Sequence, residues 1–306
     1  MGETLDIRRS TTNARFEQLR AELQEAEKLL ANKACVYATG SFGRGEAGAF
    51  SDLDVFIAGK AEGNDRLLSP LDEILVKADL IAAVRKLNIP DFSGDGEYLT
   101  HYTVHELVKT LGTREDDVTN TFTARLLLLL ESRPLLEMKV YQDIVEPVVT
   151  AYWRDYQDNK SNFVPAFLAN DILRLWRTFC VNYEARTSTE PAEKKAKRKL
   201  KNYKLKHSRL LTCYSALLYL LFVHSRRHTV SPTDAMVMLP KIDDLLKLYE
   251  IFLDETNASE AELISRFLNR SKSREYSQAA NRLGDVVFEI LATIGQNSVF
   301  YRLLVV

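Results

Sequence analysis

Apolar residues recur at helical spacing near the start of the chain. Phe16, Leu19, Leu23, Ala26, Leu29 and Leu30 mark an amphipathic helix over residues 12–32. The period then shortens. Cys35-Val36-Tyr37-Ala38 reads as a buried strand over 35–39, and Leu53, Val55 and Ile57 alternate within a second strand over 52–58. A short helix around 41–48 fits between them. Residues 59–68 are polar and contain Gly63, which predicts a loop. A helix over 70–87 follows and is ended by Asn88 and Pro90. Residues 92–102 read as a third strand, kinked at Gly94 and Gly96. From about residue 105 almost every segment reads as helical. Ile242, Leu245, Leu246, Tyr249, Phe252 and Leu253 form one stripe. Val286, Val287, Ile290, Leu291 and Ile294 form another, with Gly295 placed to end that helix. Ser259 and Glu262 have the spacing of a capping box. The pattern predicts an α+β chain: a small mixed β-sheet domain with an N-terminal helix over 1–140, and an all-helical bundle over 141–306.

Composition narrows this picture a little. A chain of 306 residues with 46% hydrophobic content can bury one large core or two smaller ones. The net charge of −1 favours neither nucleic acid nor membrane as a global partner. Three cysteines, Cys35, Cys180 and Cys213, lie far apart, which argues against a disulfide framework or zinc site. Together with the polar stretch Met1–Ser10, they point to a reducing, cytoplasmic setting. The longest apolar run, 14 residues from Leu210 to Val223, falls short of the roughly 20 that a membrane span needs and reads as a buried helix.

Chemistry concentrates in one stretch. Thr39-Gly40-Ser41-Phe42-Gly43-Arg44-Gly45-Glu46 follows the first strand, and ten residues separate Ser41 from Asp52. Asp52 and Asp54 are two apart in an extended segment, so both face one side while Leu53, Val55 and Ile57 face the other. Adjacent carboxylates repel unless a cation lies between them, and hard oxygen donors favour Mg²⁺ or Mn²⁺. The Gly-Ser turn offers backbone N–H groups to phosphate. A phosphate cradle beside paired metal carboxylates implies phosphoryl or nucleotidyl transfer, with two metal ions clamping the attacking and leaving oxygens. Asp95, Glu97 and, less well placed, Glu131 are candidates for a third carboxylate; alternation lets Asp95 and Glu97 share a face, so the residues alone do not separate them. Arg44 either faces the phosphates or pairs with Glu46.

This stretch resembles the signature of the DNA polymerase β-like nucleotidyltransferase superfamily, and its longer form resembles the branch of the GlnD-type uridylyltransferases. The resemblance implies transfer of a nucleotide from a nucleoside or deoxynucleoside triphosphate with release of pyrophosphate. It implies a palm-like sheet domain followed by helices, with Gly40 and Ser41 on the phosphates and Asp52, Asp54 and Asp95 on two Mg²⁺ or Mn²⁺ ions. Members commonly add a lysine and a serine from the helical part, which makes Lys204, Lys206 and Ser208 candidates for the triphosphate.

Two further features bear on the acceptor. Residues 194–209 carry nine Lys and Arg side chains and lead into the apolar run. A helix beginning there would set cations against its dipole, which an anion would offset. The same cluster suits a nucleic-acid backbone, with Tyr203 as a stacking face. At the C-terminus Val299–Val306 is apolar except for Arg302 and favours self-association, and Tyr301 offers a hydroxyl. In this architecture the chain resembles the nucleotidyltransferase of the Hailong anti-phage defence systems. That resemblance implies untemplated oligomer synthesis primed on Tyr301, a single-stranded nucleic acid product and a membrane effector as partner. Single-nucleotide transfer to a protein or tRNA, or an inactive nucleotide-binding module, are the alternatives.

Overall fold

The computed structural model describes residues 3–63, 65–92, 96, 99–184, 191–236, 243–296 and 298–305, with the backbone alone for 183–184, 243–247 and 305. The chain divides into two compact units, Leu5–Ala151 and Tyr152–Val306, the latter joined by residues 3–4.

In the first unit, α1 (Glu3–Glu22) and α2 (Gln24–Leu30) precede β1 (Ala34–Thr39), α3 (Gly40–Gly43) and β2 (Asp54–Gly59). A small hairpin, β3 (Ala61–Glu62) and β4 (Asp65–Arg66), leads to α4 (Pro70–Lys86). Then come β5 (His101–Thr103), α5 (Val104–Lys109), α6 (Glu115–Val118), α7 (Thr121–Glu131), β6 (Arg133–Leu136) and α8 (Met138–Ala151). The four-stranded sheet has the order β5-β2-β1-β6. β1 runs antiparallel to β2 and β6, and β2 runs parallel to β5, so the sheet is mixed.

Both faces of the sheet are covered, which explains the nearly continuous apolar character of β1. Val36, Ala38, Leu53, Val55 and Ile57 join Phe16, Leu19, Leu23, Leu80 and Val84 in one core. Cys35, Tyr37, Phe56 and Ala58 join Leu107, Leu128, Val140, Ile144 and Val148 in the other. Tyr37 and Phe56 stack at 5.6 Å across the strand pair. Full burial of each such side chain contributes about 1.5–3 kcal/mol.

Most elements lie where the pattern puts them, and the differences have local causes. The helix expected over 12–32 begins at Glu3 and breaks at Leu23 (φ −103°, ψ 21°), where α2 restarts. Of the strand expected over 92–102, the described residues pair at His101–Thr103 alone. The loop expected over 59–68 holds the β3–β4 hairpin. β6 falls in a region read as helical; it is four residues long and contains Pro134, which an edge strand tolerates. α8 packs its Val140, Ile144 and Val148 against the sheet, so the unit runs past residue 140 to Ala151.

Helices are the only regular elements among the described residues of the second unit, and turns and loop cover 152–165 before the first of them. The unit contains α9 (Ala166–Glu184), α10 (Ala192–Lys204), α11 (Leu210–Arg227), α12 (Pro232–Ala235), α13 (Asp243–Glu255), α14 (Glu260–Leu268), α15 (Arg270–Gly295) and α16 (Val299–Val305). Ser259 accepts from the Glu262 backbone N–H at the start of α14, and α15 ends at Gly295 as expected. Of the first expected stripe, Tyr249, Phe252 and Leu253 are buried, whereas the side chains of Ile242, Leu245 and Leu246 lie outside the described residues. No described helix is long and apolar enough to cross a membrane. None of the three cysteines forms a disulfide, and burial pushes the Cys35 thiol up to about 12.

Candidate active site

The register of β1 on β2 builds the site. Thr39, the last residue of β1, lies opposite Asp54, the first of β2. The chain turns sharply at Gly40, whose φ of +62° lies in the left-handed region that favours glycine. A Cβ at Gly40 would stand 2.8 Å from Asp54 Oδ2, so the missing side chain is what gives the carboxylate its place. Asp54 is half-buried and Asp52, just before the strand, is exposed. Leu53 and Val55 are 2% and 3% exposed and enter the core beneath α1 and α4, which turns the two aspartates toward the opposite side.

A buried carboxylate secures the turn. Glu131, at the end of α7, accepts from the Gly40 N–H at 3.1 Å and from Arg44 Nη1 at 2.6 Å. Arg44 Nε donates to Glu46 at 2.9 Å. Gly43 closes against the same place: a Cβ there would stand 1.9 Å from the Glu131 carbonyl oxygen and 2.8 Å from that of Ala38. Of the two readings open for Arg44, the geometry displays the pairing with Glu46, together with a second pairing to Glu131. Glu131 is thereby the anchor of the turn. Ser41 is half-buried, and its carbonyl accepts from the Glu46 N–H at 2.7 Å.

Helix α1 holds the loop between the turn and β2. Thr12 Oγ1 accepts from the Ala47 N–H at 2.9 Å and donates to the Arg8 carbonyl at 2.7 Å. Arg15 donates to the Ala49 carbonyl at 3.3 Å. The Arg8 guanidinium lies where a side chain on Gly48 would be. The sequence carried a signal for this tether: Arg8, Thr12 and Arg15 interrupt the apolar face of α1 at spacings of four and three.

Asp95 and Glu97 fall outside the described residues, and among those described no group of three metal-binding side chains occurs. Lys204, Lys206 and Ser208 belong to the helical unit. The expected helix start at their position does not exist. α10 passes through a π-helical turn, Leu205–Arg209, directly into α11, with Lys204, Arg209 and Leu210 all in helical conformation. Backbone N–H groups there are spent within the helix, so no helix terminus faces an anion at 204–208. The Ser208 hydroxyl accepts from Tyr249 at 3.2 Å, Lys206 is half-buried and Lys204 is exposed. Tyr203 is buried and donates its hydroxyl to Glu255, so it presents no open stacking face. Tyr301 is half-buried in α16, with its ring over the Cα of Gly295, while its neighbour Phe300 is fully buried beside His224.

Asp52 and Asp54 suit a hard divalent cation. Both are oxygen donors, Asp54 opens the paired strand β2 beside a glycine that leaves its carboxylate room, and the nearby buried Glu131 is already neutralised by Arg44. Residues 16–123 match the family model of the nucleotidyltransferase domain. The match spans the end of α1, the Gly40 turn, both aspartates and the sheet as far as β5. No curated protein matches the chain.

Proposed function

We propose that the chain transfers a nucleotidyl group from a nucleoside or deoxynucleoside triphosphate to an acceptor hydroxyl, with pyrophosphate as the leaving group. The matched nucleotidyltransferase domain supports a nucleotide-transfer activity in general terms. The observation that carries the reading is the seat of Asp54 on Gly40, one residue beyond the strand end that faces it.

In this reading Asp52 and Asp54 hold the divalent ions, Mg²⁺ or Mn²⁺, with a third carboxylate from Asp95 or Glu97. Bound there, the ions would polarise the α-phosphate and activate the attacking hydroxyl. The chain's own residues do the rest. The Gly40 turn, fixed by Glu131 and Arg44, lets phosphate approach the backbone closely because no Cβ intervenes. Ser41 donates its hydroxyl to a phosphate oxygen. Asp54 keeps its position through the β1–β2 ladder rather than through a flexible loop, which preserves the alignment on which in-line transfer depends.

The finer reading concerns the acceptor. Untemplated oligomer synthesis in anti-phage defence, primed on the Tyr301 hydroxyl, is supported by the half-exposed position of that residue near the chain end. Labelled NTPs and dNTPs, each incubated with the protein and Mg²⁺ or Mn²⁺, test both levels. Incorporation with pyrophosphate release is expected. A ladder attached to the protein and lost in Tyr301→Phe supports self-priming. A single adduct that needs added protein or tRNA contradicts oligomer synthesis, and absence of any transfer contradicts the activity itself.

A further inference from the structure

We infer that the helical unit carries a binding cleft for the phosphate backbone of a single-stranded oligonucleotide, between α10 with its π turn on one wall and the start of α15 on the other. This stands apart from the transfer reaction at Gly40–Asp54. The cleft has a volume of about 530 Å³. Lys199 and Lys206 line one wall and Arg270 and Arg274 the other, and no carboxylate is among the lining residues. Among the described residues, none of these four cations has a carboxylate within ion-pair distance; the one polar partner is Ser273, which accepts from Lys199 at 3.2 Å.

Their neighbours show that this arrangement is particular to the cleft. Lys197, Arg266 and Lys272, on the same helices or the adjoining α14, are each paired with a glutamate. Arg270 also opens α15, whose first turn holds no acidic residue and where a helix dipole disfavours cations. The fold gains nothing electrostatic from four unpaired cations on facing walls; an anion between them would.

Spacing and composition select the anion. Lys199 and Lys206 are seven residues apart, a rise of roughly 10 Å along the helix. Arg270 and Arg274 are one turn apart, roughly 6 Å. A row of phosphates matches that spread better than one compact group. Asn202, Ser277 and Gln278 supply neutral donors beside the cations. Phe267 and Tyr276, 4.8 Å apart and both buried, close the floor of the same cleft.

The test uses the full chain in EDTA, with 5′-fluorescein-labelled 12-mers of oligothymidylate and oligouridylate read by anisotropy across salt concentrations. Arg270→Gln/Arg274→Gln is compared with a control of equal charge change, Arg85→Gln/Lys86→Gln, in the other unit. The cleft variant is expected to weaken binding at least tenfold, with the log–log salt slope shallower by about 1.4, roughly 0.7 per lost phosphate contact on a single strand. The control is expected to stay within twofold, and Asp54→Asn is expected to keep the wild-type affinity. Equal losses in both double variants, no loss in the cleft variant with its thermal midpoint unchanged, or loss of binding in Asp54→Asn would overturn the proposal. So would displacement of the 12-mer by a polyglutamate peptide, or by ATP at the same phosphate concentration, as effectively as by unlabelled 12-mer.

Discussion

At the scale of single residues, two glycines of one turn are expected to fail in different ways. Gly40→Ala puts a Cβ at φ +62°, a strain of roughly 1–2 kcal/mol, and displaces the Asp54 carboxylate 2.8 Å away. Transfer is expected to fall at least tenfold while the thermal midpoint drops by only a few degrees. Gly43→Ala meets two backbone carbonyls, at 1.9 and 2.8 Å, that cannot swing aside, so loss of folded protein is expected in circular dichroism. Arg44→Met leaves the fully buried Glu131 carboxylate without its cation, an expected loss of about 3 kcal/mol in urea unfolding. The sequence made the turn and the two aspartates legible because their chemistry is local, held within Gly40–Asp54. Glu131 was weighed there only as a metal ligand, and its role as anchor was hidden, because α7 brings it to Gly40 across 91 positions.

At the scale of elements, the π turn between α10 and α11 carries a pH response. His207 is buried, stacks on Phe252 at 4.5 Å, and has Nδ1 2.8 Å from the Tyr203 carbonyl, to which it donates. Burial, with a smaller contribution from Lys206, lowers its pKa from 6.5 to about 4. The unfolded chain therefore binds the proton first as pH falls. Stability is full above pH 6.5 and declines between 6.5 and 4, by about 3 kcal/mol for this group. Urea unfolding at pH 7 and pH 4.5 is expected to show the drop, and His207→Phe to remove much of it. The sequence pattern placed a helix start at this segment but could not reveal that one helix runs continuously through it. The run Lys204–Arg209 has the polar character of a boundary, yet Tyr203 and His207 point inward and bind the segment to α13. β6 was missed for the opposite reason: four residues with a proline carry too little pattern to announce a strand that pairing with β1 alone creates.

At the scale of the molecule, the α+β class and the order of sheet before helices were legible in the shift of hydrophobic period. The boundary was not, because α8 reads like any helix of the rear half until its partners are known. Ile144 and Val148 are both fully buried against the sheet. A fragment of residues 3–151 is expected to unfold cooperatively by calorimetry, whereas one of residues 3–140 loses those contacts and about 3–6 kcal/mol. Transfer itself is the central claim, and the most direct test compares wild type with Asp52→Asn and Asp54→Asn. Pyrophosphate release and label incorporation would be measured with each NTP and dNTP in Mg²⁺ and in Mn²⁺, after circular dichroism shows all three proteins folded. The account predicts activity in the wild type and a loss of at least a hundredfold in each variant. Undiminished activity in either variant would contradict it.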